Sequence, residues 1–243
     1  MPTLIGAITV IAQRGGPRVA GVLTALPVVA GPIAFFLAIE QGQVFAAHSA
    51  VATLAAVLAV GAFGVAYSNA CLRVGPGPSL LAGMSGYALT ALALQALDPP
   101  LLGALVIGLA APLLARRLLP HPPFPTRIAS IPRAEIAARM GAGAALVALV
   151  TSVADRLGPT WSGLLTVFPI ATTVLTVSSH RRQGPEFTVH LLRGFASGLY
   201  SLVAFFAILA LTLEPLGVAP AFALALAGIT AAQLALLRWG PAR

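Results

Sequence analysis

Apolar runs broken by short polar or proline-rich stretches recur along the whole chain, and most are long enough for the 17–25 residues of a membrane-crossing helix. They fall at 17–39, 44–70, 78–97, 99–119, 134–155, 159–180, 186–212 and 216–238. An earlier apolar stretch, 2–13, would be only about 18 Å long as a helix, so its length leaves open whether it crosses. The pattern predicts an all-α fold, a polytopic transmembrane helical bundle of eight or nine helices.

The polar positions that punctuate this pattern occur twice. When the sequence is slid 142 positions along itself, Arg14, Gly16, Pro17, Gly21, Leu23, Thr24, Pro27, Gln41, Gly42, Phe45 and His48 meet identical residues at Arg156, Gly158, Pro159, Gly163, Leu165, Thr166, Pro169, Gln183, Gly184, Phe187 and His190. That is 11 identities in 35 ungapped positions. The frame continues, with Gly75, Pro78 and Gly86 meeting Gly217, Pro220 and Gly228. An internal duplication of a four-helix unit follows. Residues 1–97 form the first unit, 98–133 a linking helix with its loop, and 134–243 the second unit. A four-helix unit returns to the side it started from and the linking helix crosses once more. The second unit is therefore expected to be inverted relative to the first.

Composition removes the soluble alternatives. Of 243 residues 58% are hydrophobic and 8% charged, too few charges to cover a soluble fold of this size. The net charge of +8 comes from 14 basic residues, all arginine. Their placement between apolar segments points to topology and away from nucleic acid. One set of loops and the C-terminus collects Arg14, Arg18, Arg73, Arg116, Arg117, Arg127, Arg133, Arg139, Arg181, Arg182, Arg238 and Arg243, while the opposite side keeps only Arg156. By the positive-inside rule the arginine-rich side is cytoplasmic. The chain is expected in the cell inner membrane with its C-terminus inside and the loops bearing Asp98 and Glu214 outside. Whether or not 2–13 crosses alters only the N-terminus. The proline-rich loop at 120–133 reads as an extended connector. The lone cysteine, Cys71, has no internal disulfide partner.

Candidate chemistry lies at the duplicated polar positions. Pro27 and Pro169 fall within apolar segments, where proline withholds its N–H and frees the carbonyl four residues earlier, that of Leu23 or Leu165. Thr24 and Thr166 stand one turn away, and freed carbonyls with threonine hydroxyls can line a solute site. Gly, Thr and Pro serve close helix packing equally well, and both readings stand. His48 and His190 share a helix face with Gln41 and Phe45, and with Gln183 and Phe187. In inverted halves the two histidines would approach a common axis and serve as proton-coupling groups, or each would bond locally near the interface. Arg193, seven residues after Glu186, lies deep enough to need a partner: an anionic solute group, a carboxylate on a neighbouring helix, or the surface by snorkelling.

The motif Ala20-Gly-Val-Leu-Thr-Ala-Leu-Pro27 followed by Glu40-Gln-Gly42, and its copy Gly163-Leu-Leu-Thr-Val-Phe-Pro169 with Arg182-Gln-Gly184, resembles the GlpM-like family of small four-helix bacterial inner-membrane proteins. The resemblance covers about 35 residues per copy and implies a fused duplication of such a unit. It brings no established activity and no site residues with it. The helix count also resembles dual-topology exporters of the small multidrug resistance type, which use a membrane-embedded acid in the first helix. Residues 2–13 contain none, which argues against cation-for-proton exchange of that kind.

The six carboxylates form no metal-binding or acid–base pair, and no HExxH, P-loop or nucleophile-elbow pattern occurs. No enzyme, cofactor or metal is expected. The sequence points to a secondary transporter or translocase of a small solute, anionic if Arg193 binds it. The substrate-binding candidates are Thr24, Pro27, Thr166, Pro169 and Arg193. A channel or a non-transporting membrane scaffold is the alternative. The lipid bilayer is the expected partner, with no nucleic acid, and a homo-oligomer is compatible with the pattern.

Overall fold

A computed structural model of the chain describes residue 27, residues 29–123 and 158–239, and single positions at 137, 141, 144, 145, 148, 152 and 156. Seven helices are bounded within them: α1 Ala30–Glu40, α2 Gln43–Cys71, α3 Pro76–Leu97, α4 Leu101–Leu118, α5 Ile170–Gln183, α6 Pro185–Leu216 and α7 Val218–Trp239. Residues 158–166 are also helical. Four of these helices, α2, α3, α4 and α6, are long and apolar enough to cross a membrane. With 29 and 32 residues, α2 and α6 run roughly 43 and 48 Å at helical rise, beyond the ~30 Å hydrocarbon layer, so both must tilt or project.

The offset of 142 recurs in the element bounds. α2 and α6 start 142 residues apart, at Gln43 and Pro185, and α3 and α7 share the offset at both ends, Pro76 with Val218 and Leu97 with Trp239. The residues before α2 and α6 are Gly42 and Gly184, at φ 87° and 88°, a left-handed conformation that only glycine adopts cheaply. The sharp turn each makes lets a short helix double back onto a long one.

The core lies between α2 and α6, which pack together and antiparallel. At one end Cys71 Sγ, on the last residue of α2, reaches Pro185 O at the start of α6 (3.9 Å). At the other, the start of α2 meets the end of α6, with Gln43 Oε1 beside Gly217. α4 packs on both long helices, α1 and α3 flank α2, and α5 and α7 flank α6. The remaining pairings are α3 with α5 and α1 with α7. Exchanging α1 with α5, α2 with α6 and α3 with α7, and leaving α4 in place, carries every one of these pairings onto another. Small residues allow the close approaches: Gly163 sits so near α2 that a Cβ there would collide with Ser49 O and meet Ala52 Cβ at 2.7 Å. Across the same contact Thr53 Oγ1 donates to Gly163 O at 2.9 Å.

Charge divides the two ends. Arg73, Arg116, Arg117, Arg181 and Arg182 follow or close α2, α4 and α5, whose ends share the side where α6 begins. Glu40, Asp98 and Glu214 lie at the opposite, acidic end.

Two predicted segments differ from the structure. The segment expected as one helix over 159–180 is two, 158–166 and α5, because Pro169 cannot continue the ladder. In the 17–39 segment helix α1 begins only at Ala30, and Pro27 stands outside it. Residues 2–13, Arg14, Thr24 and most of 134–155 lie outside the described residues.

Candidate functional site

The break at Pro169 is built by a chain of substitutions among hydrogen bonds. Pro169 has no N–H for Leu165 O. Phe168 N tightens onto that carbonyl instead, three residues back at 3.0 Å. Leu164 O, which Phe168 N would have served in a regular helix, is thereby released. Tyr87 on α3 takes it: its hydroxyl donates to Leu164 O at 2.6 Å, fully inside the protein, with its ring edge-to-face on Phe168 at 5.2 Å. The carbonyl set free is therefore that of Leu164, not Leu165. Helix then restarts on the proline carbonyl, through Thr173 N to Pro169 O at 2.7 Å. The first copy repeats this bond: Gly31 N donates to Pro27 O at 2.8 Å. Thr166 is buried one turn before the break, and its hydroxyl bonds Ser162 O within its own helix. Ser162 Oγ, also buried, has no hydrogen-bond partner among the described residues.

Beside the break, at the acidic end, lies an open cavity of about 490 Å³, within the range of small-molecule sites. α2 lines it with His48, Val51 and Ala52, the α3–α4 turn with Asp98 to Leu101, the 158–166 helix with Pro159, Thr160 and Leu164, and α6 with Ala210 and Glu214. Leu164 is the residue whose carbonyl Tyr87 holds, so the cavity adjoins the break. Asp98 ends α3 in the left-handed region (φ 37°) and accepts from Thr160 Oγ1 at 3.3 Å. The charged lining thus consists of two carboxylates and one imidazole. Among the described residues no group of three or more His, Cys, Asp or Glu is placed to hold a metal.

The two duplicated histidines do not meet at an axis. His48 lines the cavity beside the start of α4, and His190 lies beyond its far end, because α2 and α6 run in opposite directions. His190 Nε2 stands 3.1 Å from Pro122 O and 3.2 Å from Pro123 O, so it carries the proton and donates. Arg193 donates through Nη1 to Leu119 O at 3.0 Å and Pro120 O at 3.2 Å. These carbonyls close the C-terminus of α4, where helical partners run out and the dipole favours a cation. A backbone carbonyl partner for Arg193 was not among those expected from the sequence. Near the same end Tyr67 OH and His180 Nδ1 are 3.2 Å apart in the core, joining α2 to α5. Tyr67, Tyr87, Thr53 and the two cavity carboxylates were not singled out by motif; three tyrosines in so apolar a chain were the available signal for two of them.

The fold and these sites define an α-helical integral membrane protein with a broken helix beside a polar cavity. Comparison with family models, with curated proteins and with solved structures returns no match.

Proposed function

We propose that the protein is a secondary transporter of a small solute in the cell inner membrane, built from two inverted halves about α4, with its arginine end and C-terminus cytoplasmic. The antiparallel packing of α2 and α6, with bounds 142 residues apart and flanking helices that exchange pairwise, carries this reading. Inverted halves around interrupted helices are the architecture in which one half rocks against the other. The breaks at Pro27 and Pro169 supply the interrupted helices, and the cavity supplies an outer vestibule. We retain as part of the proposal a fused duplication of a GlpM-like unit acting without enzymatic chemistry.

The lining speaks to the solute. Asp98 and Glu214 in the cavity favour a positive or hydrogen-bond-donating group and disfavour an anion. The anionic character inferred from Arg193 has no counterpart there, since Arg193 lies at the opposite end on the carbonyls of α4. His48, rather than a histidine pair, is the group placed for proton coupling. Counterflow in proteoliposomes tests the reading, with labelled ethanolamine, alanine and lactate as cationic, zwitterionic and anionic probes. Accumulation driven by the same unlabelled compound inside is expected, strongest for ethanolamine. Leak without counterflow assigns a channel, and neither for any probe assigns a scaffold.

A further inference from the structure

The cavity at the acidic end is open, and its counterpart at the arginine end is filled. We propose that the short strap Leu119–Pro123, held by Arg193 and His190, is the cytoplasmic gate. Its release opens a second cavity that Ser68, Leu72, His190 and Arg193 line. This rests on the inverted-halves reading.

The positions make the case. His48 and Val51 line the open cavity; 142 residues on stand His190 and Arg193, the two residues that hold the strap. The open cavity borders the start of α4, at Pro99 to Leu101, and the strap continues directly from its end. Exchanging the halves about α4 brings one onto the other. The other wall agrees. Ala210 and Glu214 line the open cavity, and their counterparts 142 residues earlier are Ser68 and Leu72. Ser68 is fully buried and its Oγ has no hydrogen-bond partner among the described residues. A hydroxyl left so is costly, and a water-filled inner cavity would satisfy it.

The strap suits a part that binds and releases. Pro120, Pro122 and Pro123 lack N–H groups, so the strap neither extends α4 nor forms a ladder of its own, and its carbonyls depend on donors from elsewhere. Arg193 and His190 are those donors. Val51, at Arg193's counterpart on the open side, offers no donor at all.

The sole cysteine reports the gate. Cys71 lies between Ser68 and Leu72, is 2% exposed, and needs no engineering. In inside-out vesicles holding the full chain, a membrane-impermeant maleimide labels it slowly. Arg193→Met is expected to raise that rate about tenfold, as loss of charged hydrogen bonds shifts the closed–open balance. In a Cys71→Ser background the same change lowers labelling of Val51→Cys from the outer face, and Arg193→Lys, which keeps a donor, leaves both rates near the parent. An unchanged Cys71 rate overturns the gate. So does a rise at Cys71 without a fall at position 51, the mark of loosened structure. A second arm leaves Arg193 intact: His190→Cys with Pro123→Cys, in Cys71→Ser, is joined by a short bifunctional maleimide. Ethanolamine counterflow should stop on cross-linking, and counterflow that survives overturns the gate while the transporter reading stands. Absence of counterflow in the unaltered protein overturns the transporter reading, and the labelling arm then decides the gate alone.

Discussion

At the scale of single residues, the decisive feature is which carbonyl a proline sets free. Counting four back from Pro169 leads to Leu165, yet Phe168 claims that oxygen and Leu164 O passes to Tyr87. The hydroxyl that completes the break thus comes from a helix 77 residues away, not from the neighbouring Thr166. Tyr87→Phe keeps the ring on Phe168 and strands a carbonyl in the apolar interior. We expect a loss of about 1–2 kcal/mol in thermal unfolding in detergent. Thr166→Val removes only a bond within its own helix and should cost less. Equal losses would mean that Tyr87 merely fills space. Arg193 teaches the same lesson: its depth showed that it needs a partner, but backbone carbonyls at a helix end have no signature of their own in a sequence.

At the scale of helices, the hydropathy pattern was sufficient for α2, α3, α4, α6 and α7, whose bounds lie within about four residues of the predicted segments. Apolar runs of bilayer length admit little else. It failed at 159–180, because a proline in an apolar run can kink a helix or end it, and only the neighbours that accept the freed groups decide which. Tyr87 and Phe168 are such neighbours, and no local pattern links them. The close contact of the 158–166 helix with α2 was partly legible, since Gly163 belongs to the duplicated motif. Its partners Ser49, Ala52 and Thr53 do not. Gly163→Ala forces a methyl into the backbone of α2, and a loss of about 1–3 kcal/mol in stability is expected from overpacking. Gly77→Ala, at an open position in the first turn of α3, should be neutral or stabilising by up to about 1 kcal/mol. If the two substitutions behave alike, the approach at Gly163 is looser than its geometry indicates.

For the whole molecule, two independent lines bear on inversion. One is arginine count, which acts through insertion and says nothing of packing. The other is packing, since α2 and α6 lie side by side with opposite ends together at Cys71–Pro185 and at Gln43–Gly217. They agree in detail: Arg73 follows α2 at the arginine end, while Glu214 and Leu216 close α6 at the acidic end, although residue numbers 74 and 216 differ by the duplication offset. That offset makes a direct test, because parallel copies would place such counterparts on one face and inverted copies on opposite faces. Val74 and Leu216 are both exposed, at 45% and 50%, so cysteine fits either site without disturbing the core. In a Cys71→Ser background, Val74→Cys should react with an impermeant maleimide only from the cytoplasmic side and Leu216→Cys only from the outside. Labelling of both from one face would refute inversion and with it the alternating arrangement, whatever solute the cavity takes. Opposite labelling together with reversed faces would keep the inverted halves and overturn only the assignment of the arginine end to the cytoplasm. The geometry of the bundle and the sign of its orientation are thus separable, because side-chain contacts fix the first and arginine placement the second.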